Sequence, residues 1–146
     1  MPGVDYHGVL EAVRTVIATA VPTARVALEV ETIPAAELCP FVAIYLDEHR
    51  ADAAHQPMMA GQRTYFELRI SIWCFQMSIE SLSRAKELAW DLVNSVEVAL
   101  MGNRTLSGAV RGLWLDGGAM DLERGSQGSW IGSGEVVLVA QVVSSV

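Results

Sequence analysis

The chain has 146 residues, a length typical of one domain that buries its own core without disulfide bonds or metals. Apolar residues make up 51% of the chain and charged residues 18%, which excludes a disordered protein. The net charge is −7, and Lys86 is the only lysine beside nine arginines. Because no basic cluster is present, sequence-specific binding to nucleic acid is not expected. We predict a single domain spanning residues 1–146.

The first part of the chain predicts one helix and one strand. Asp5 is suited to cap a helix over residues 6–20, where apolar residues recur at helical spacing, and Pro22 closes that helix. Apolar and polar residues alternate from Arg25 to Glu31, which indicates a short strand. The segment 32–40 contains two prolines and is interpreted as a connection.

The centre of the chain predicts two strands joined by a long loop. Phe41 to Asp47 is an apolar run that ends at an acidic residue. Thr64 to Gln76 alternates with period two, as expected for a strand with one buried face and one face that is wet or kept for a partner. The polar loop between them, Glu48 to Gln62, is longer than a compact domain usually keeps without a function.

An amphipathic helix follows these strands. Ser78 is predicted to cap a helix from Ile79 to Met101, which Gly102 ends. Glu80 and Arg84 are spaced to form an ion pair on its surface. The predicted buried stripe consists of Leu82, Ala85, Ala89, Leu92, Val96 and Ala99.

The remaining residues predict a β-rich end. Candidate strands are Ala109 to Leu115, Ala119 to Arg124 and Glu135 to Val143. Asp116-Gly117-Gly118 predicts a tight turn between the first two, and Gly125 to Gly134 is interpreted as a glycine- and serine-rich loop. The order of elements predicts an α+β fold, with a mixed or antiparallel sheet and two main helices packed on one of its faces.

No motif supports an active site, a cofactor site or a metal site. Two histidines and three carboxylates lie between Asp47 and His55, but their spacing matches no established ligand pattern and a solvated loop accounts for it equally well. Gly125 to Gly134 precedes a strand, whereas a phosphate-binding loop precedes a helix. Since the chain also lacks a nucleophile-elbow sequence, we expect that it is not an enzyme.

The cysteines and the hydropathy pattern bear on the compartment. Cys39 and Cys74 form no CxxC motif and are expected to be buried free thiols, which fits a reducing environment. The N-terminus lacks the pattern of a standard signal peptide. No apolar run approaches the roughly 18 residues that a membrane-spanning helix needs, so no contact with a membrane is expected.

The order of motifs carries a family resemblance. The run from Cys39 to Asp47 is followed by a polar loop closed by Gly61-Gln62-Arg63, and then by the long alternating strand. The serine-rich segment from Ser78 to Ser83 then opens Arg84-Ala85-Lys86-Glu87-Leu88-Ala89. This pattern resembles the tail terminator proteins of long-tailed bacteriophages, also called tail completion or minor tail protein U-like proteins. The resemblance covers most of the chain.

The resemblance implies a small structural subunit of the virion, assembled in the host cytoplasm. Such subunits form a hexameric ring on the last ring of the tail tube, stop its polymerisation and present a surface for joining the head. The implied partners are other copies of this chain, the tail tube protein and the head–tail connector. DNA would pass through the ring without specific binding. The family has no catalytic residues to carry over and needs no cofactor.

Two sets of residues become candidates for assembly. A closed ring needs two different, complementary patches on each subunit, and large apolar residues outside the predicted stripe are candidate anchors. These interface candidates are Tyr65, Trp73, Phe75, Trp90 and Trp130. The candidates for a loop facing the tube or the lumen are Asp47, Glu48, Asp52, His55, Met58 and Met59. Acidic residues facing the lumen would repel DNA phosphates.

Three alternatives remain open at this point. Another neck or head–tail connector protein would share the size and the assembly behaviour. A small cytosolic oligomer that binds a metabolite or another protein would show a closed apolar pocket. An enzyme would need a cluster of titratable residues.

Overall fold

The computed structural model describes residues 4–31, 35, 38–51, 65–124 and 129–143. These residues form two α-helices, one short 3₁₀ turn and six strands, which confirms the predicted α+β fold. In chain order the helices and strands are α1 (Tyr6–Ala20), β1 (Arg25–Leu28), β2 (Phe41–Ala51), β3 (Tyr65–Ser78), α2 (Leu82–Met101), β4 (Gly112–Leu115), β5 (Met120–Arg124) and β6 (Trp130–Val143).

The six strands form one mixed sheet. Its order is β1-β2-β3-β6-β4, and β5 also pairs with β6. Only the β1–β2 pair is parallel; the other pairs are antiparallel. Strand β3 pairs with β6 from Tyr65 opposite Val143 to Ser78 opposite Trp130, so these two strands are the centre of the sheet.

Strands β4 and β5 follow each other along the same edge of β6. Leu115 lies opposite Leu138, and Met120 lies opposite Gly134. Between these two pairs the edge has four residues, 116–119, whereas β6 has three, 135–137. The predicted tight turn at residues 116–118 is therefore wrong, because this segment is a bulge in one interrupted edge strand. Gly118 has φ 154°, and a Cβ there would overlap the Glu135 carbonyl oxygen, so the bulge requires glycine.

Both helices cover one face of the sheet and form the main core with it. Val13 and Ile17 of α1 and Val96 of α2 are fully buried, as is Ile70 of β3. Asp5 caps α1 as predicted, because its Oδ1 accepts a hydrogen bond of 2.9 Å from Gly8 N–H.

Helix α2 begins later than the sequence predicts. Ser78 is the last residue of β3 and pairs with β6, so the chain must leave the sheet before a helix can start. Ser81 is the cap, and its Oγ accepts a hydrogen bond of 3.1 Å from Arg84 N–H. Glu80 precedes the helix, and Arg84 instead pairs with Glu87 at 3.2 Å. The predicted Ser78 cap and the Glu80–Arg84 pair are therefore wrong.

The buried stripe of α2 also differs at its two ends. Leu82 lies in the first turn and is 40% exposed, and Ala99 is only half-buried. Val93 and Leu100 are buried in their place. The buried residues of α2 are Ala85, Ala89, Leu92, Val93, Val96 and Leu100.

Removing the observed cap gives a first testable expectation. Ser81→Ala should lower the free energy of unfolding by about 1 kcal/mol, because Arg84 N–H loses its acceptor. Ser83→Ala is the matched control, since Ser83 is exposed in the first turn and does not cap the helix. Urea denaturation followed by circular dichroism measures both; equal midpoints would contradict the assignment of the cap.

Several strand boundaries differ from the predicted ones, because pairing extends a strand or the local backbone ends it. Strand β4 begins at Gly112 and not at Ala109, since Ala109 caps the 3₁₀ turn at Leu106–Gly108. Strand β2 continues past Asp47 to Ala51, which lies opposite Phe66 of β3. Strand β6 begins at Trp130, inside the segment predicted as a loop. Strand β1 ends at Leu28, and the next residue, Glu29, has φ 50°, which a continuing strand does not adopt.

The two cysteines are not joined by a disulfide bond and pack on opposite faces of the sheet. Cys74 is fully buried in the main core, while Cys39 is half-buried against the second cluster described below. Burial raises the pKa of the Cys74 thiol to about 12, with a smaller contribution from the charge of Glu97. The prediction of buried thiols is thus correct for Cys74 and only partly so for Cys39.

Candidate assembly surfaces

The sheet face opposite the helices is apolar at one end. Phe41, Phe75 and Ile131 form a second buried cluster with Ala43, against which Leu38 packs. Phe75 is 8% exposed, and Trp73 is half-buried beside it. Of the two interface candidates on this part of β3, Phe75 therefore has almost no accessible surface in the single chain, and Trp73 has some.

The other end of this open face is polar, and its charges are paired. Arg69 donates to Asp116 at 2.7 Å. Arg50 lies 3.4 Å from Glu67 and 3.7 Å from Glu48. Tyr65, another interface candidate, is half-buried and lies under the Arg111 guanidinium, 4.9 Å from the ring centroid. The last interface candidate, Trp130, is half-buried at the start of β6.

The candidates for a projecting loop divide into two groups. Asp47 and Glu48 lie in strand β2, not in a loop, and both are exposed. Asp47 is the residue at which the β2–β3 register shifts, since Leu46 pairs with Ile70 and Glu48 with Arg69. The other candidates lie outside the described residues; they are Asp52, His55, Met58 and Met59.

Carboxylates gather around Asp47. Partial burial, followed by the negative charges of Glu135, Glu29 and Glu48, raises the pKa of Asp47 above its ordinary value, and Arg69 acts in the opposite direction. Two of these neighbours are held in place: Glu135 accepts a hydrogen bond from the Ser71 hydroxyl, and Glu29 accepts one of 2.9 Å from Leu46 N–H. The result is an acidic area on the open face, which would repel a polyanion.

Neutralising Asp47 should stabilise the protein at neutral pH. The pKa of Asp47 is higher in the folded protein than in the unfolded chain, so ionisation of this side chain lowers the free energy of unfolding. This loss of stability develops as the pH rises from the ordinary pKa of aspartate through the pKa in the folded protein. Asp47→Asn should therefore raise the Tm at pH 7, and the gain should vanish below pH values of about 4. Thermal melts at both pH values measure it, with Asp91→Asn on the exposed side of α2 as control. A lower Tm for Asp47→Asn at pH 7 would contradict the repulsion.

The described residues hold no group of three or more His, Cys, Asp or Glu side chains arranged to bind a metal ion. Both described histidines have a neighbour: His49 stacks on Tyr6 at 5.2 Å between ring centroids, and His7 Nε2 lies 3.8 Å from Glu11 Oε1. Neither described helix is long and apolar enough to span a membrane.

The exposed large apolar side chains of the described residues belong to a few neighbouring elements. All of them lie on α2, in the turn before it, or on β4 and β5. They are Ile79, Leu82, Trp90, Val98, Met101, Trp114 and Met120. We call the part formed by Trp90, Met101 and Met120 the α2 flank.

Helical geometry and two contacts place the α2 flank beside the β4–β5 edge. Trp90 and Met101 are eleven residues apart, three turns, and so lie on the same side of α2. Met101 borders a shallow groove with Leu113 and Leu115, and Met120 lies next to Val93 over Gly134. Trp90 is 48% exposed and Met120 50%. Of the three residues of the α2 flank, the sequence predicts only Trp90 as an interface candidate. The exposure of Met101 and Met120 depends on where the sheet ends.

Comparisons with known proteins add a likeness in backbone only. No family model matches the chain, and no curated protein sequence matches it. Among solved structures, it is similar to a chain from the structure described as "Virion of native gene transfer agent (GTA) particle", with 15% identity and a TM-score of 0.47. The match covers 95% of this chain and 98% of that one. An identity and a TM-score this low leave the function to be argued from the residues of this chain.

Proposed function

We propose that this protein is a structural subunit of a phage-like virion that assembles into a ring on the end of the tail tube. The ring, hexameric as the sequence resemblance implies, stops the growth of the tube and presents the surface that joins the head. The resemblance rests on the motif order from Cys39 to Ala89. The exposed surfaces of the described residues support the proposal.

The observation that carries the proposal is the α2 flank, where Trp90, Met101 and Met120 remain exposed beside the β4–β5 edge. The core beneath them is already complete, since Val96, Leu100 and Leu138 are fully buried without them. Exposed apolar residues gathered in one area are typical of interaction sites, whereas single scattered ones are not. A subunit that repeats the same heterologous contact around a ring needs two complementary patches, and the α2 flank would belong to one of them.

The negative charge of the protein is compatible with the passage of DNA through the ring. The protein carries a net charge of −7, and the open sheet face gathers Asp47, Glu48, Glu29 and Glu135. A lumen lined by this face would repel the phosphate backbone and would let DNA slide without being retained.

Polymerising tail tubes test the proposal directly. The tail tube protein of the same particle would be assembled with and without the purified protein, and tube lengths would be scored by electron microscopy. We expect shorter tubes that carry an extra ring at one end. Unchanged lengths and bare ends would contradict the terminator function, and binding to the connector alone would identify a neck protein.

A further inference from the structure

Strand β1 has a free backbone edge. Arg25 N–H donates to the Pro40 carbonyl oxygen at 3.0 Å, and Glu29 N–H donates to the Ile44 carbonyl oxygen at 2.8 Å. Because alternate residues of a strand direct their backbone groups to opposite sides, Val26 and Leu28 direct theirs away from β2. Within the described ranges, no other strand pairs with β1 on that outer side. An unpaired edge of this kind is a template for another strand.

Strand β4 lies at the opposite edge of the same sheet, and no described strand pairs with its outer side. Asp116 N–H donates to the Val137 carbonyl oxygen at 2.8 Å. By the same alternation, Leu113 and Leu115 direct their backbone groups away from β6. The bulge after Leu115 breaks the line of this edge, so its regular part is the four residues of β4. Strand β1 also has four residues.

The two free edges have opposite polarity. Strand β1 is parallel to β2, and three successive antiparallel pairings then lead through β3 and β6 to β4. Strands β1 and β4 therefore run in opposite directions. In a ring whose axis lies roughly along the strands, every copy has the same polarity, so β1 of one copy would meet β4 of the next in an antiparallel ladder.

Side-chain faces and hydrogen-bond directions then select one full register. Val26, Leu28, Leu113 and Leu115 all pack against the main core on the helix side of the sheet. Their outward backbone groups meet when Val26 lies opposite Leu115 and Leu28 opposite Leu113. A shift by two residues keeps the faces matched but leaves part of each strand unpaired.

On the open face the same register gives complementary pairs. The small side chain of Ala27 lies opposite Trp114, which is 44% exposed in the single chain. The exposed guanidinium of Arg25 lies opposite the carboxylate of Asp116, which accepts a hydrogen bond from Arg69 and is still 51% exposed. A second copy of this chain thus brings apolar residues to apolar ones, a small residue to a large one, and a cation to an anion.

We propose that copies of this chain join by pairing β1 of one copy with β4 of the next, in a four-residue antiparallel ladder with Ala27 opposite Trp114. This inference rests on the ring of the proposed function and names the surface that forms it. The junction extends the sheet from copy to copy and carries the α2 flank, which borders β4, into the same interface.

A disulfide between neighbouring copies tests the junction. Ala27 and Trp114 form a non-hydrogen-bonded pair in this ladder, with Cα atoms about 4.5 Å apart, which suits a disulfide. Within one copy they are separated by four strand spacings, about 19 Å, so an internal disulfide cannot form. Oxidised Ala27→Cys/Trp114→Cys protein, in a Cys39→Ser background, should run as a ladder of multimers on a non-reducing gel, ending at the ring.

Two controls and one independent variant keep the result interpretable. Ala27→Cys/Gly112→Cys is off register by two residues on the same face and should cross-link far less. Each single cysteine variant should give no multimer series; dimers from Ala27→Cys alone would show a symmetric contact and overturn the junction.

Arg25→Glu, a change at an exposed position, should raise the concentration needed for assembly about tenfold through repulsion by Asp116. Monomers from the folded double-cysteine variant, or unchanged assembly of Arg25→Glu, would also overturn it.

The junction and the proposed function can fail separately. Tails of uncontrolled length without this protein, together with no cross-link, would retain the terminator and reject the strand junction. Cross-linked rings from a protein whose loss leaves tails normal would retain the junction and reject the terminator.

Discussion

Gly132→Ala is expected to lower the free energy of unfolding by about 3 kcal/mol. Gly132 lies in β6 directly beneath α2. An added Cβ would overlap the Ala85 carbonyl oxygen and would lie 2.7 Å from the Ala85 carbonyl carbon and 3.0 Å from Lys86 N. These are backbone atoms of a helix, so the clash can be relieved only by moving α2 away from the sheet and loosening the core between them.

Gly112→Ala is the matched control for this prediction. Gly112 is also a strand glycine, but its added Cβ would have no heavy atom within 4 Å. We expect its free energy of unfolding to change by no more than about 0.5 kcal/mol. Urea denaturation of the two variants and the parent protein measures the difference. Equal midpoints for Gly132→Ala and Gly112→Ala would contradict the close contact between α2 and β6.

Trp90→Ala is expected to weaken assembly by about 30-fold while the subunit stays folded. Trp90 is 48% exposed, so its removal should change the free energy of unfolding by only about 0.5 kcal/mol. A tryptophan at the centre of an interface commonly contributes about 2 kcal/mol, which corresponds to that factor in a dissociation constant. Analytical ultracentrifugation over a concentration series measures the assembly.

Val98→Ala provides the comparison on the same helix. Val98 is 62% exposed but lies about 80° around α2 from Trp90, away from the β4–β5 edge. Its removal should leave the assembly unchanged. Equal assembly of Trp90→Ala and Val98→Ala would reject the α2 flank as an interface.

Local patterns predicted the elements that local rules determine. The Asp5 cap of α1 and the buried face of β3 follow from short-range spacing, and the structure confirms them. The amphipathic pattern also predicted α2, although Ser81, and not Ser78, is its cap. The sequence predicts Ser78 as the cap, but Ser78 pairs with β6 as the last residue of β3, so the helix begins later.

Long-range pairing explains the features that the sequence did not predict. The first residues of β6 are rich in glycine and serine and read as a loop, yet they pair with β3 from Trp130 onwards. Glycine at positions 132 and 134 serves the close approach of α2, which no local pattern reveals. The bulge at residues 116–118 has the composition of a hairpin turn, but β6 accepts both flanking strands on one side.

Among the candidate interface residues, too, local patterns reveal some and only long-range pairing reveals others. Trp90 could be found from sequence because it lies beside the apolar stripe of a clear helix. The alternation of β3 predicts that Phe75 lies on the face open to solvent or to a partner. Leu38 and its neighbours cover that end of the sheet, so Phe75 is buried. Trp114 became a candidate only when the sheet order showed that β4 is an edge strand.

Tail length in the absence of this protein is the most direct test of the central claim. Particles produced from a genome lacking this gene would be imaged by electron microscopy, and the distribution of tail lengths would be compared with that of the complemented strain. The terminator function predicts overlong tails of variable length that fail to join heads. Tails of normal length would contradict it, and unattached heads beside such tails would assign the protein to the neck.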